Sequence, residues 1–499
     1  MNVLVHASEL VFTVEILSIL LASAVFGLFV GATPGLTATM ATALLVPITF
    51  FMPPIAAIGA IVTCSAMAIF AGDIPAALLR MPGTPASAAY TDDTFELNRK
   101  GRLDLALGTN VTASAFGGIV GSLILVLAAP QLARAALSFS TFEYFWLALL
   151  GLSCAAIVSP GSPLKGIVSL ALGLFLSTIG LDVVSGQPRF TFGLVDLMGG
   201  LSFVAAMIGA FAVAEILRKT LSMDEALPKI QPIKGSILKG QSKLLWTHRT
   251  GLVRGSLMGT VVGALPGAGA DIAAWISFAV SKRFSKTPEL YGKGHVEGIV
   301  EASASNNAAL SGAYIPALVF GIPGDAVTAI VIGVLMMKGL TPGPMVFTTS
   351  PDLIGAVYIV FFLANIIMVP LGIAAIYLGR RILTVPPNVL YAVILLFCIV
   401  GAFATNNAIF DLWVILVVGV CIWLMGENGY PVPPLILGLV LGRVVEESFV
   451  TSMVKSNGSL LAFFERPISA FLGVITILVW ASPLYVPVLR QVIRRRRPE

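Results

Sequence analysis

Residues 16–72 have the sequence ILSILLASAVFGLFVGATPGLTATMATALLVPITFFMPPIAAIGAIVTCSAMAIFAG, and this run contains no Asp, Glu, Lys, Arg or His. A membrane span needs roughly 20 predominantly apolar residues, so the run has room for at least two spans. Inside lipid the backbone must satisfy its own hydrogen bonds, which favours helices. The pattern therefore predicts membrane helices at the start of the chain.

Similar uncharged runs follow along the chain, at residues 105–133, 353–379, 382–410 and 468–489. Charged residues make up 11% of the 499 residues, and hydrophobic residues make up 57%. Soluble domains carry about 25% charged residues, so most of this surface must face something other than water. The sequence lacks the alternating pattern of outer-membrane barrels. These features predict an all-α, polytopic integral membrane protein of about 10–12 transmembrane helices.

A polar segment, residues 218–255, divides the chain. Its basic residues outnumber its two acids, Asp224 and Glu225. An excess of Lys and Arg beside apolar spans marks the cytoplasmic side of a membrane. We therefore predict a first membrane half at 1–217, a basic cytoplasmic linker at 218–255 and a second membrane half at 256–499, whose arginine-rich tail is also cytoplasmic. Nucleic-acid binding is not favoured, because most of the excess positive charge lies in the linker and the tail.

The two halves contain a duplicated pattern. The stretch Gly27–Gly35, GLFVGATPG, is matched 232 positions later by Gly259–Gly267, GTVVGALPG. The stretch Pro75–Gly83, PAALLRMPG, is matched 241 positions later by Pro316–Gly324, PALVFGIPG. Further on, Lys100-Gly101 corresponds to Lys338-Gly339. Three matches in the same order predict two structural repeats. The first repeat follows an arm without Lys or Arg and the second follows the basic linker, so we predict that the repeats are inverted, as in many secondary transporters.

Each repeat carries two Pro-Gly pairs within apolar sequence. They are Pro34-Gly35, Pro82-Gly83, Pro266-Gly267 and Pro323-Gly324. Pro removes a helical hydrogen bond and Gly permits non-helical backbone angles, so each pair predicts a broken or re-entrant helix. Matched breaks in the two halves point to the binding site of a transporter. Kinks that serve packing alone are the alternative.

The residues around the breaks suit an anionic ligand. A broken helix exposes backbone N–H groups at a new N-terminus, where the helix dipole favours carboxylates and phosphates. Thr37 and Thr84 follow the first two breaks and would add hydroxyl donors. The amides of Asn306 and Asn307 lie inside an uncharged run, where amide donors suit a carboxylate and amide oxygens suit a cation. All these residues are candidate substrate- or ion-binding residues, with hydrogen bonds between helices as the alternative for the two asparagines.

Charged residues near the breaks form a further group of candidates, because ionisable groups inside membranes are usually functional or paired. Asp271 and Asp325 follow the breaks of the second half, where a carboxylate suits a coupling proton or sodium ion. Arg80 precedes Pro82 and suits a substrate carboxylate. Asp73 and Arg80 flank the Pro-Ala stretch before the second break. Interfacial positions or internal ion pairs are the alternatives for all four charged residues.

Other chemistries lack a motif. The four cysteines lie apart in apolar runs and the three histidines are scattered, so we predict no metal site and no organic cofactor. The sequence contains no HExxH motif, no G-x-S-x-G elbow and no Walker A motif. We therefore predict no catalytic residues and no enzyme activity.

Several segments resemble the signature segments of a known family. They are GATPGLTATM at 31–40, IPAALLRMPGTP at 74–85, GALPGAGA at 263–270, NNAA at 306–309, GIPG at 321–324 and KGLTPGP at 338–344. These segments look like those of the large permease subunit of tripartite tricarboxylate transporters, the TctA-like proteins. Two positions depart from the expected pattern, since Thr33 stands in place of a bulky aliphatic residue and Arg80 in place of a neutral polar one.

The resemblance implies a secondary active transporter that imports a tricarboxylate or another small carboxylate anion, coupled to Na⁺ or H⁺. It implies two protein partners, a small four-span membrane subunit and a periplasmic solute-binding protein, and a location in the bacterial inner membrane. It also places binding roles on the Pro-Gly and Asn-Asn segments. A self-sufficient carrier or channel for another small solute is the alternative. A membrane enzyme or scaffold is a third class, for which the sequence offers no motif and no docking domain.

Overall fold

A computed structural model describes residues 2–33, 36–158, 162–182, 185–221, 236–382 and 387–495. Over these residues the chain is almost entirely helical. The helices of the first part are α1 (Asn2–Val11), α2 (Val14–Ala32), α3 (Ala38–Thr49), α4 (Pro54–Ala71), α5 (Asp73–Leu79), α6 (Thr91–Arg99), α7 (Leu103–Ala136), α8 (Thr141–Val158), α9 (Pro163–Ser177), α10 (Phe203–Ile208) and α11 (Ala214–Leu221). Those of the second part are α12 (Gln241–Thr247), α13 (Arg249–Gly263), α14 (Gly269–Phe284), α15 (Val296–Phe320), α16 (Ala326–Met337), α17 (Val346–Thr349), α18 (Pro351–Ile382), α19 (Pro387–Asn406), α20 (Ile409–Glu427), α21 (Val432–Lys455) and α22 (Pro467–Arg495). The two-residue strands β1 (Gly180–Leu181) and β2 (Pro188–Arg189) form a short hairpin, so the prediction of an all-α protein is confirmed.

Several of these helices have the length and composition of membrane spans. Within the described residues, five are long and apolar enough to cross a bilayer: Val14–Ala32, Pro54–Leu79, Leu103–Ala136, Pro351–Gly379 and Ile409–Glu427. Shorter apolar helices include α3 and α16, which begin just after Pro-Gly pairs. A full span needs roughly 20 residues, so α3 and α16 have the length of broken or re-entrant segments. The chain is thus a multi-pass helical membrane protein, whereas the inverted orientation of its repeats stays a prediction.

The chain forms two compact units, residues 1–134 with 202–424 and residues 135–201 with 425–499. This division cuts across the predicted halves, 1–217 and 256–499. Those halves are defined by the sequence repeat rather than by compactness, and they stay a prediction.

The larger unit is centred on α4 and α15, which are buried along almost their full length. Both helices are rich in small residues, which let helix backbones approach closely in a membrane. Helix α2 packs on α4 through Gly27 and Gly31, and α13 packs on α15 through Gly259 and Gly263. A Cβ atom at any of these glycines would collide with a backbone carbonyl of the facing helix. The glycine pairs Gly27 with Gly31 and Gly259 with Gly263 therefore serve as contacts between helices.

In the smaller unit, α9 packs on α21 and α8 carries an aromatic cluster. A Cβ atom at Gly173 of α9 would collide with the carbonyl of Leu435 in α21. The indole N–H of Trp146 in α8 donates to the Phe463 carbonyl at 3.1 Å, which holds the turn before α22 against α8. Small residues and aromatic edges thus hold this unit together.

Part of the predicted linker is helical. Helix α12 and the first turns of α13 lie within residues 241–255, while 222–235 lie outside the described residues. Arg254 contributes to the basic charge of this segment, but it lies in α13 and forms an ion pair with Glu301 of α15, with Nη2 to Oε2 at 2.6 Å. The linker as predicted therefore includes the start of a packed helix.

Candidate functional site

The first break lies between α2 and α3, and its Pro34 and Gly35 are outside the described residues. Thr37 is the N-cap of α3, and its hydroxyl accepts a hydrogen bond from the Met40 N–H at 3.2 Å. Such a cap satisfies one of the free N–H groups at a helix start. Thr37 is half-buried and is the last residue of the break before α3 begins.

The second and fourth breaks begin with the same backbone geometry. Arg80 ends α5 with a φ of 59°, and Gly321 ends α15 with a φ of 68°. These two residues are 241 positions apart, the offset of the sequence repeat. The left-handed region favours glycine at the C-terminal cap of a helix. The second repeat has glycine at this position, whereas the first repeat has Arg80, whose side chain makes the same backbone conformation less favourable.

Each of these two breaks is followed by a reciprocal cap. In the first repeat the Thr84 N–H donates to Ser87 Oγ at 3.2 Å, and the Ser87 N–H donates to Thr84 Oγ1 at 3.1 Å. In the second repeat the Asp325 N–H donates to Thr328 Oγ1 at 2.9 Å, and the Thr328 N–H donates to Asp325 Oδ1 at 2.8 Å. Both pairs of positions are 241 apart, which supports the duplication. The repeats differ in charge, because neutral Thr84 stands where the second repeat has Asp325.

The glycines of these breaks pack against the first helix of their own repeat. A Cβ atom at Gly83 would lie 2.6 Å from the Gly72 Cα and 3.0 Å from the Gly31 carbonyl oxygen. A Cβ atom at Gly324 would lie 2.7 Å from the carbonyl oxygen of Gly263, the counterpart of Gly31. Backbone cannot move aside as a flexible side chain can, so only glycine fits.

We expect Gly83→Ala and Gly324→Ala each to lower the free energy of unfolding by about 1–3 kcal/mol, the usual cost of overpacking. The measurement is the thermal midpoint of the detergent-solubilised protein. Gly199→Ala is the matched control, because a Cβ atom there meets nothing within 4 Å. Unchanged midpoints in both variants would contradict the packing role of these glycines.

The second, third and fourth breaks are joined by hydrogen bonds. Pro266 and Gly267 lie in the turn between α13 and α14, and the Gly267 N–H donates to the Gly324 carbonyl at 2.8 Å. The Ala86 N–H, just after the second break, donates to Asp271 Oδ1 in the first turn of α14 at 3.2 Å. The structure thus brings three of the four breaks, one from the first repeat and two from the second, into one region. Pro82 is exposed there and Pro323 is buried.

Two carboxylates meet in this region. Gly269 begins α14 with a φ of +59°, and a Cβ atom on it would lie 2.8 Å from the Cβ of Asp325. Asp271 follows two residues later and is close enough to Asp325 for the two charges to repel each other. Asp271 is exposed and Asp325 is half-buried. Neither forms an ion pair with any described residue, so the region carries uncompensated negative charge when both are ionised.

The two asparagines lie where the central helices α4 and α15 meet. Asn306 and Asn307 are each 1% exposed. The Asn307 amide donates to the Ala66 carbonyl at 3.3 Å, and these two residues are themselves 241 positions apart. The Asn306 amide donates to the Tyr90 hydroxyl at 3.4 Å. Equivalent points of the two repeats therefore touch at Asn307.

Arg80 lies on the surface and forms an ion pair with Asp92, with Nη2 to Oδ1 at 2.8 Å. The two side chains are 62% and 60% exposed, so the pair contributes little to stability. A substrate contact for Arg80 stays a prediction.

Two buried residues adjoin this site, and neither was predicted from the sequence to bind the substrate or an ion. Asp73 begins α5 and Tyr90 precedes α6, and neither side chain is exposed. The sequence carries one signal for Asp73, since it is the first charged residue after an uncharged run of more than 50 residues. Nothing in the sequence marks Tyr90, because its role depends on the fold.

Comparison with known proteins gives a family and two relatives. The tripartite tricarboxylate transporter TctA family matches residues 17–437 of the chain. An uncharacterised 52.8 kDa protein of Agrobacterium vitis from the TAR-I ttuC' 3' region is 36% identical over 447 residues, which cover 89% of this chain and 88% of the relative. An uncharacterised protein of the same organism from the TAR-II ttuC' 3' region is 36% identical over 214 residues, 43% of this chain and 88% of that relative. No solved structure matches the chain.

Proposed function

This chain belongs to the tripartite tricarboxylate transporter TctA family, and on that premise we propose that it is the large membrane permease subunit that imports a tricarboxylate or another small carboxylate anion. The members of this family are transporters, so the chain is a membrane transport protein. The choice of substrate, the driving ion and the partners are the proposed parts.

The broken-helix region supports an anionic substrate. Helix α14 is 16 residues long, begins beside the positive-φ glycines Gly267 and Gly269, and receives no side-chain cap hydrogen bond from its N-cap residue Ala268. The Thr37 and Thr84 hydroxyls add neutral polar groups just after the first and the second break. Carboxylates bind such helix starts because backbone N–H groups and the helix dipole both favour negative charge. The observation that carries the proposal is this convergence of matched breaks in both repeats.

The pair Asp271 and Asp325 supports coupling to a cation. Two neighbouring carboxylates without a basic partner repel an anionic substrate, and a bound cation would remove that repulsion. The cation and the carboxylate would then bind with positive coupling, which is what a symporter requires. In this proposal Asp271 and Asp325 hold the cation, and the N–H groups of the breaks hold the substrate.

The partners follow from the tripartite architecture of the family. We propose that a periplasmic binding protein delivers the substrate and that a small four-span subunit assembles with this chain in the bacterial inner membrane. The basic tail and linker would then face the cytoplasm, because positive charge accumulates on that side.

We expect concentrative uptake of labelled citrate or a related di- or tricarboxylate by proteoliposomes that contain this chain and its small subunit. Uptake should require both the binding protein and an imposed Na⁺ or H⁺ gradient, and vesicles without this chain are the control. Downhill flux without binding protein or gradient would instead indicate a channel. The absence of flux for every carboxylate tested would overturn the choice of substrate class.

A further inference from the structure

A second polar cluster lies inside the larger unit, at the contact of α5, α15 and the turn before α6. Asp73 and Tyr90 are 0% exposed and Asn306 is 1% exposed. The Tyr90 hydroxyl donates to Asp73 Oδ1 at 2.7 Å, and the Asn306 amide nitrogen donates to the same hydroxyl oxygen at 3.4 Å. One hydroxyl group thus joins the carboxylate of the first repeat to the amide of the second.

Two oxygen atoms of this cluster are buried without a hydrogen-bond partner among the described residues, namely Asp73 Oδ2 and Asn306 Oδ1. Asp73 also forms no ion pair with a described Lys, Arg or His. A buried acceptor that is left unpaired destabilises a fold, and an unpaired buried carboxylate does so more strongly. Such a group in a membrane interior marks a functional site.

The hydrogen bonds fix which atoms of the cluster are left unpaired. Tyr90 has a single hydroxyl hydrogen and gives it to Asp73, so its oxygen must accept from Asn306. The Asn306 nitrogen therefore faces Tyr90, and its carbonyl oxygen faces away. The two unpaired atoms of the cluster are then a carboxylate oxygen and an amide oxygen, and both are acceptors. Acceptor-only oxygen sets bind hard cations.

The duplication supplies the carboxylate only once. The residue 241 positions after Asp73 is Tyr314, and the residue 241 positions before Asn306 is Ser65. The charge therefore comes from the first repeat and the amide from the second. A packing role shared by the repeats would not explain this difference, whereas one ion site per chain would.

We propose that Asp73 Oδ2 and Asn306 Oδ1 bind a sodium ion, and that Tyr90 positions both side chains. A proton on Asp73 would satisfy one acceptor, whereas a sodium ion can be shared by two. This site is separate from Asp271 and Asp325, and it rests on the proposed function only where the ion is taken to be a driving ion. It adds a second cation to the transport cycle.

Direct binding of ²²Na⁺ to the purified, detergent-solubilised chain tests the site without transport. Asp73→Asn should bind one Na⁺ fewer per chain than the wild type, at constant ionic strength held with choline. Asn306→Ser places the residue of the first repeat at this position, and it should weaken Na⁺ binding by at least about tenfold, or about 1.4 kcal/mol. Asp352→Asn, at a side chain that is 41% exposed, is the matched control and should bind Na⁺ as the wild type does.

Wild-type Na⁺ binding by both variants would overturn the site. So would a wild-type chain that binds or releases protons but binds no ²²Na⁺. The Asn306→Ser variant keeps the proposal testable if Asp73→Asn does not fold. The two proposals fail separately. If the variants lose Na⁺ binding but the wild type transports no carboxylate, the sodium site stands and the proposed substrate is wrong. If the variants bind Na⁺ normally but the wild type transports a carboxylate, the proposed substrate stands and the sodium site is wrong.

Discussion

Arg254→Ala is expected to lower the free energy of unfolding by about 3–5 kcal/mol, because it leaves a buried carboxylate without its partner. The Glu301 side chain is 0% exposed, and its two oxygens accept from Arg254 Nε at 2.7 Å and Nη2 at 2.6 Å. A Cβ atom at Gly251 of α13 would lie 3.2 Å from Glu301 Oε2, so α13 passes close to the carboxylate. The pair fixes α13 to α15, the two helices that carry the breaks of the second repeat.

The measurement is the unfolding midpoint of the solubilised protein in a denaturing detergent series. Glu301→Gln in the Arg254→Ala background should restore part of the loss, since the neutral amide is less costly to bury than the charge. Arg443→Ala is the control, because its pair with Glu447 has side chains 73% and 44% exposed and should contribute at most about 1 kcal/mol. A loss in Arg254→Ala no larger than that of Arg443→Ala would contradict a structural role for the buried pair.

The breaks could be predicted from the sequence because they are local. A Pro-Gly pair disrupts a helix wherever it lies, and a run of more than 50 uncharged residues can hardly be anything other than membrane helix. The repeat offset of 241 positions then predicts which residues are equivalent, and the structure agrees at the helix end of Arg80 and Gly321 and at the caps of Thr84 and Asp325. Periodicity and backbone chemistry were enough for these features.

The pairing of charges could not be predicted in the same way. Arg254 belongs by composition to a basic linker, yet the fold turns it toward Glu301, which is 47 positions away. Arg80 suits a substrate by charge, yet Asp92 lies within 2.8 Å of it. Tyr90 contacts Asp73, which is 17 positions away, and Asn306, which is 216 positions away. Such partners are set by how helices pack, and a single sequence carries no record of that packing.

Asp325→Thr is expected to fold as the wild type does and to reduce concentrative uptake about 5- to 150-fold, the range that corresponds to a coupling free energy of about 1–3 kcal/mol. The first repeat supports the choice of threonine, because Thr84 makes the same reciprocal cap without a charge. The substitution thus keeps the hydrogen bonds to Thr328 and removes only the carboxylate beside Asp271. If that charge attracts the driving cation, binding of the carboxylate substrate should also depend less on the cation.

Asp325→Ala separates the cap from the charge. Alanine cannot accept the Thr328 N–H, and loss of an N-cap costs about 1 kcal/mol, so this variant should unfold at a lower temperature than Asp325→Thr. Both variants should lose uptake to the same extent, because both lack the carboxylate. Normal uptake by Asp325→Thr together with poor uptake by Asp325→Ala would mean that position 325 acts through the cap alone, and the cation would then have to be held without it.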